Sequence, residues 1–285
     1  MNDENTQTTG LKRNPIDKFY TKPYVVDHCL ALFKNKFIVN NTELIIEPSA
    51  GKGAFINGIK TLGIDNSCPQ YRFYDLEPDH ADIEKQDYLL FDSESIMNHY
   101  QRIHVIGNPP FGRQSSFAIK FIKKSCEFAD SVSFILPKSF KKNSMHKSFP
   151  LNFHLIEEYD LPEEAFLLNG NSHNVPCVFQ IWEKRDNTRN VVEKLVPIKF
   201  HFVKKDDNPD ISFRRVGGTA GKIDTNIEDK SIQSHYFIKF DIPLTDNLLK
   251  KLDNIEYSSR SNTVGPRSIS KPELINEFNP ILQVI

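Results

Sequence analysis

No run of about 18 apolar residues occurs in the 285-residue sequence, so no segment reads as a membrane-spanning helix. The first residues are polar and acidic rather than basic and then apolar. That is not the pattern of a secretory leader, and the expectation is an intracellular protein, cytoplasmic or, in a eukaryote, nuclear. Cysteine is scarce, and Cys29, Cys68, Cys126 and Cys177 are widely scattered without paired spacing. This argues against a disulfide framework and against zinc knuckles, and no metal is expected. The net charge of −1 excludes a uniformly basic nucleic-acid coat. The glycine signatures of nucleotide sites are incomplete as well. Around Gly51 and Gly53 there is neither a third fingerprint glycine nor a Gly-Lys-Ser/Thr ending, so neither a dinucleotide fold nor a P-loop is indicated. Oligomeric state has no signature in the sequence.

What is present describes a globular chain. Hydrophobic residues make up 39% and charged residues 26%, enough for a sizeable core. Charge is unevenly placed: Asp75 to Glu94 carries eight carboxylates against one lysine, and Arg113 to Lys147 carries eight Lys/Arg against two carboxylates. A neutral chain with such blocks can present one basic rim. Residues 1–14 are polar, and a disordered tail is expected there. Residues 15–185 read as one α/β domain, and a different, smaller pattern follows over 186–285 after the linker-like Asp186-Asn187-Thr188-Arg189.

Within the larger region, Val25, Val26, Cys29, Leu30 and Phe33 recur at helical spacing, with Thr21 and Pro23 placed as cap and first-turn proline. Leu44-Ile45-Ile46 is a short buried-strand pattern that runs into Glu47-Pro48-Ser49-Ala50-Gly51-Lys52-Gly53. The small residues let backbone approach a bound group, and Glu47 suits a cationic ligand better than a phosphate. Tyr71 to Tyr74 predicts a strand ending at Asp75-Leu76-Glu77-Pro78, where a carboxylate is placed to accept ribose hydroxyls. Asp75 is the first choice and Glu77 the second, with a solvated surface acid as the plain alternative. A helical segment is expected from Asp79 to Lys85. Beyond it, Asp87 can accept from an adenine amino group while Tyr88 packs on the ring. Phe117 to Ala129 predicts a helix, and Val132 to Pro137, Phe153 to Asp160 and Val178 to Trp182 predict strands. Past the linker, Ile198 to Val203, the stretch from Phe213 and Tyr236 to Phe240 read as strands, and Asp246 to Leu252 as a short helix.

The stretch Val105-Ile106-Gly107-Asn108-Pro109-Pro110-Phe111-Gly112 carries the sharpest chemistry. An apolar strand delivers Asn108 into a loop stiffened by two prolines, which lack N–H donors and fix φ. Loops at the carboxyl ends of parallel strands are where open α/β sheets bind ligands. The Asn108 amide oxygen and a backbone carbonyl can together accept both hydrogens of one planar amine, with Phe111 lying against the same planar group. An ordinary turn is the competing reading. The basic loop Lys138 to Lys147 reads either as a solvated face or as a neutraliser of phosphates.

Taken in order and spacing, Glu47 to Phe55, Asp75, Asp87 and Asn108 to Phe111 resemble the class I AdoMet-dependent methyltransferases, and within them the N6-adenine amino-methyltransferase group, over residues 17 to 183. The resemblance implies a seven-stranded Rossmann-like methyltransferase sheet whose last strand is antiparallel, with the hairpin Phe166 to Val178 as that feature, and a small α+β carboxy-terminal module. It implies S-adenosylmethionine as cofactor, with Thr21, Glu47 and Gly51 around its methionine part and Tyr20, Ser49 and Gly53 beside them. Asp75 or Glu77 takes the ribose, and Asp87 and Tyr88 the adenine. Asn108, Pro109, Pro110 and Phe111 hold the target base, Asn108 also facing the cofactor. Lys22 stands where the family has Thr-Pro directly, which leaves the role of Thr21 open. Nucleic-acid contacts are expected from Lys138, Lys141, Lys142, Phe166, Arg214, Arg215 and Lys222. The expected reaction is methylation of adenine N6 in DNA, as in restriction-modification. RNA adenine methylation, protein glutamine methylation and non-catalytic binding are the alternatives.

Overall fold

The computed structural model describes residues 19–63, 69–168, 170–191 and 193–284. The expected amino-terminal tail and Cys68 lie outside them. The chain divides into two units. One runs to Pro137 and resumes over Ser148–Arg189; the other joins Lys138–Lys147 to the residues from Asn190 on.

The first unit is built on seven strands. They are β1 (Leu44–Glu47), β2 (Gln70–Asp75), β3 (Glu84–Lys85), β4 (Ile103–Gly107), β5 (Ser131–Pro137), β6 (Phe153–Asp160) and β7 (Cys177–Lys184), in sheet order β3-β2-β1-β4-β5-β7-β6. Pairing from β3 through β5 is parallel. β7 runs antiparallel to both β5 and β6. This is a Rossmann-like seven-stranded sheet with the direction reversed at one strand. β1 and β5 are buried along their whole length, so Leu44–Ile46 and Phe134–Leu136 read as continuous apolar runs rather than alternations, with Ser131 and Ser133 as buried polar residues at the start of β5.

Helix α1 (Pro23–Lys36) turns Val25, Val26, Cys29, Leu30 and Phe33 inward, has proline in its first turn, and carries Lys34 and Lys36 in its last turn, where the helix dipole favours cations. Its cap position is Lys22, with no side-chain cap bond. Thr21 is therefore not the cap. It lies instead in a short strand (Tyr20–Thr21) that pairs with Phe166–Leu168, which pairs in turn with Asn171–His173. The hairpin from Phe166 is thus part of a separate three-stranded ribbon, and the antiparallel strand of the main sheet begins only at Cys177. The expected helix over Asp79–Lys85 is absent; the segment bends and adds β3 to the sheet edge. Its only buried apolar residue is Ile83, too little for a helical face. Helices α2 (Ile56–Lys60) and α3 (Ser116–Cys126) complete the elements that matter for the site.

The second unit has an antiparallel sheet of β8 (Phe200–Val203), β9 (Ile211–Arg214), β10 (Ile223–Asp224) and β11 (His235–Phe240), in order β8-β11-β9-β10. Helices α4 (Asp246–Asp253) and α5 (Lys271–Gln283) supply Leu248, Leu252, Leu274 and Phe278 to a core shared with Phe200, Phe213 and Ile238. α5 was not foreseen, because Pro272 and Pro280 interrupt its pattern. Ser270 and Glu273 nonetheless form a full capping box at its start, and proline is tolerated in a first turn.

Candidate active site

β1, β2 and β4 end side by side, and each delivers a polar group at its carboxyl end. From β4, the backbone reaches Gly107 at φ +155°, where an added Cβ would stand 3.1 Å from Cγ of Glu47. At that φ a side chain would be strained and would press on Glu47, so glycine favours the close approach of the two strand ends. Asn108 follows. Its Nδ2 donates to the Phe19 carbonyl (3.2 Å) and to the Thr21 hydroxyl (3.2 Å). Those two bonds fix which way the amide points, and its Oδ1 is left buried without a hydrogen-bond partner. A buried acceptor in that state costs roughly 1–3 kcal/mol unless a ligand satisfies it. Pro109 is buried and Pro110 exposed. The Phe111 carbonyl accepts from the N–H groups of Phe117 and Ala118 at the start of α3, and its ring packs partly against the main core. Gly112, Gln114 and Ser115 follow with positive φ, a run of left-handed backbone directly after the motif.

From β1 comes Glu47, 2% exposed, with Oε2 unpartnered. Burial, helped by the charge of Asp75, pushes its carboxyl up to about 8. Beyond it, Ser49 Oγ donates to the Asn108 carbonyl at 3.2 Å, tying the glycine loop to the Asn-Pro-Pro loop. Gly53 has φ +81°, a left-handed backbone in which a side chain would be strained, so the turn into α2 favours glycine. Lys52 Nζ lies 4.8 Å from the centre of the Tyr20 ring, which brings Tyr20 over the same loop.

From β2 comes Asp75. Its Oδ2 accepts the Gly51 N–H at 2.8 Å and its Oδ1 the Glu77 N–H at 2.9 Å. Asp75 therefore holds the glycine loop in place, while Glu77 is exposed. Asp87 caps the turn Tyr88–Leu90, accepting from Leu89 N at 3.0 Å.

The cluster thus brings together Tyr20, Thr21, Glu47, Ser49, Gly51, Gly53, Asp75 and Asn108. Three expected residues lie elsewhere in character. Tyr88 is 1% exposed, stacked on Phe121 and Phe91, and its hydroxyl lies 2.8 Å from Ser125 Oγ. Its ring is core and presents no face to an adenine. Phe166 is fully buried against Phe19, so it cannot stack on a base. Lys142 Nζ is engaged by the Ser268 carbonyl (2.9 Å) and Glu273 (3.2 Å), and its charge serves the second unit. Of the other expected cations, Arg215 and Lys222 are exposed, Lys138 and Lys141 are half-buried, and Arg214 Nε donates to the Val216 carbonyl.

Sequence reasoning missed Phe19, whose contribution is a backbone carbonyl and so leaves no signal in residue type. It also missed His104, a polar residue within an apolar strand. Its ring nitrogens lie 2.7 Å from Ser131 Oγ and 3.0 Å from Glu43 Oε2, which joins β4 to β5 beneath the site. Cys29, Cys126 and Cys177 are buried, and burial pushes their thiols up. Among the described residues no group of His, Cys, Asp or Glu is placed to hold a metal, and no helix is long and apolar enough to cross a membrane.

The chain is similar to several solved structures at low identity. A candidate RNA methyltransferase from Pyrococcus horikoshii is 17% identical, with 62% of this chain and 92% of that chain covered and a TM-score of 0.47. A type I restriction-modification methyltransferase subunit from Streptococcus thermophilus is 16% identical, with 61% and 47% covered and a TM-score of 0.45. The 23S rRNA methyltransferase ErmE is 12% identical, with 61% and 72% covered and a TM-score of 0.42. The match to the restriction-modification subunit spans less than half of that protein. No curated protein matches the sequence. The family model of the EDM2 methyltransferase-like domain matches residues 38–198, which takes in all seven strands of the sheet and both loops of the cluster; being more than half of the chain, this match makes the protein a member of that family.

Proposed function

We propose that the first unit transfers a methyl group from S-adenosylmethionine to the exocyclic N6 amine of adenine in nucleic acid, with DNA as the first substrate to test. The observation that carries this reading is Asn108: its nitrogen is held by two acceptors while its oxygen is buried and unpartnered. Such an oxygen is prepared to accept one hydrogen of a planar amine. The Pro109 carbonyl, in a backbone stiffened by proline, is the acceptor proposed for the other. Drawing both hydrogens into the protein lets the nitrogen become tetrahedral and turns its lone pair outward. The Phe111 ring is proposed to lie on the base, which must leave its stack to reach the loop.

The residues around Glu47 fit the cofactor. A buried carboxylate with an unpartnered oxygen suits a cationic ammonium, and the Gly51–Gly53 turn offers backbone where a side chain would obstruct. S-adenosylmethionine supplies a methyl group already activated by its sulfonium, so the protein has to bind, align and exclude water. Asp75, by holding the Gly51 N–H, shapes the loop on that side; Glu77 and Asp87 are proposed for the ribose and the adenine.

The test is incubation with methyl-labelled S-adenosylmethionine and duplex DNA, single-stranded DNA or structured RNA in parallel, followed by nucleoside analysis. N6-methyladenosine or its deoxy form is the expected product, and the arm that carries it names the polymer. Label transfer to none of them, with binding of S-adenosylmethionine intact, would overturn the nucleic-acid reading.

A further inference from the structure

Outside the cluster around Asn108, the second unit holds a cavity of about 400 Å³ at the open end of its sheet, between β8, β11 and the start of α5. Phe202 and Tyr236 form its aromatic side, their ring centres 5.6 Å apart and nearly perpendicular at 75°. The Tyr236 hydroxyl donates to the Ile269 carbonyl at 3.3 Å, which anchors that ring. Lys271 Nζ lies 4.3 Å from the Phe202 ring centre and 5.7 Å from that of Tyr236. Lys204 and Lys205 line the rim, and Asp206 is the lone carboxylate in the lining. Arg215 adds a cation 5.4 Å over Tyr236.

Two features say which ligand this suits. The cations outnumber the acid, so the ring faces are not left for a cationic guest. Lys271 is also the first residue of α5, where the helix dipole disfavours a cation. A lysine kept there against the dipole places positive charge at the mouth of an aromatic cavity, while the capping box of Ser270 and Glu273 occupies the first-turn amides. Aromatic rings flanked by lysines are the physical components of single-strand recognition, in which bases stack and phosphates meet cations without base-specific hydrogen bonds.

We infer that the cavity of Phe202, Tyr236, Lys204 and Lys271 binds a single-stranded segment of nucleic acid, one base against the rings and the adjoining phosphates against the lysines. This stands apart from methyl transfer, since it needs neither Asn108 nor the cofactor.

The test is fluorescence anisotropy of the full chain with a short labelled oligothymidylate, without S-adenosylmethionine, across a salt series. Lys204→Ala together with Lys271→Ala should weaken binding and lower the slope of log affinity against log salt by about 1.4, the loss expected of two phosphate contacts on a single strand. Phe202→Leu keeps bulk and removes the stacking face, and should cost about tenfold in affinity. A thermal melt checks that each variant is folded, and if Phe202→Leu is not, the lysine pair carries the test alone. The assay contains no S-adenosylmethionine and reads binding alone, so failure of the proposed methyl transfer leaves this result untouched. Parental affinity and slope in the lysine pair would overturn the inference. So would equal competition by a duplex, or by polyglutamate, which would mark the cavity as a general anion surface.

Discussion

The side-chain nitrogen of Asn108 sits 3.2 Å from the hydroxyl oxygen of Thr21, across 87 residues of sequence. With the bond to the Phe19 carbonyl, the contact sets the orientation of an amide whose other end is buried and unpartnered. Loss of the Thr21 acceptor leaves the Phe19 carbonyl alone to keep the amide from turning over.

Replacing Thr21 by Val keeps its shape and removes the acceptor. Methyl transfer should fall by about tenfold, the equivalent of one hydrogen bond of about 1.4 kcal/mol. Cofactor affinity should stay within about threefold. Asn108→Ala removes the acceptor itself and should cost about a hundredfold or more. Single-turnover rates beside calorimetric cofactor binding measure both, and a Thr21→Val enzyme as fast as the parent would show that the amide is oriented by other means.

Glu47 gives a pH signature. Its carboxyl is raised in the folded protein to about 8, first by burial and then by Asp75. The folded state therefore holds a proton that the unfolded state has released between the ordinary carboxylate range and about 8. Stability contributed by this group is present at low pH and is lost as pH rises through that window, levelling off above it. Glu47→Gln should abolish the slope and be more stable than the parent at high pH by on the order of 2–4 kcal/mol. Below the window, where the parent is protonated in both states, the two proteins should melt together. If the ionised carboxylate receives the cofactor ammonium, cofactor affinity of the parent should rise over the same window while that of the variant stays flat. Denaturant melts and titration calorimetry at a series of pH values report both.

Asp75→Ala releases the Gly51 and Glu77 N–H groups together. A loss of about 1–3 kcal/mol in stability is expected, together with weaker cofactor binding, because the glycine loop is no longer held. Asp75→Asn retains one acceptor oxygen and should fall between. Calorimetry of the three proteins checks the order, and unchanged affinity in Asp75→Ala would move the cofactor away from this loop.

Tyr88→Phe should leave cofactor affinity unchanged and lower stability by about 1 kcal/mol through loss of the bond to Ser125. A large drop in affinity would place the Tyr88 ring at the cofactor after all, against its burial among Phe91, Phe121 and Phe128.

Residue order alone was enough to find the central strands, because they are buried on both faces and carry apolar runs, Leu44 to Ile46, Val105 to Ile106 and Phe134 to Leu136; the exposed edge strand Glu84–Lys85 has no such run and read as helix. Residue order also marked the loops that follow the central strands, since proline and glycine restrict or free the backbone locally whatever surrounds them. What only the tertiary structure decided is which way the side chains of those loops face and what they touch. Tyr88 and Phe166 have the chemistry to stack on a base, yet distant phenylalanines claim them for the core. Lys142 looks like a phosphate contact in a basic run, but Glu273, 131 residues later, takes its charge. The acceptor that helps orient Asn108 is the backbone carbonyl of Phe19, 89 residues away. Backbone preferences are local and can be read residue by residue; burial, pairing and orientation are set by partners that folding alone brings near.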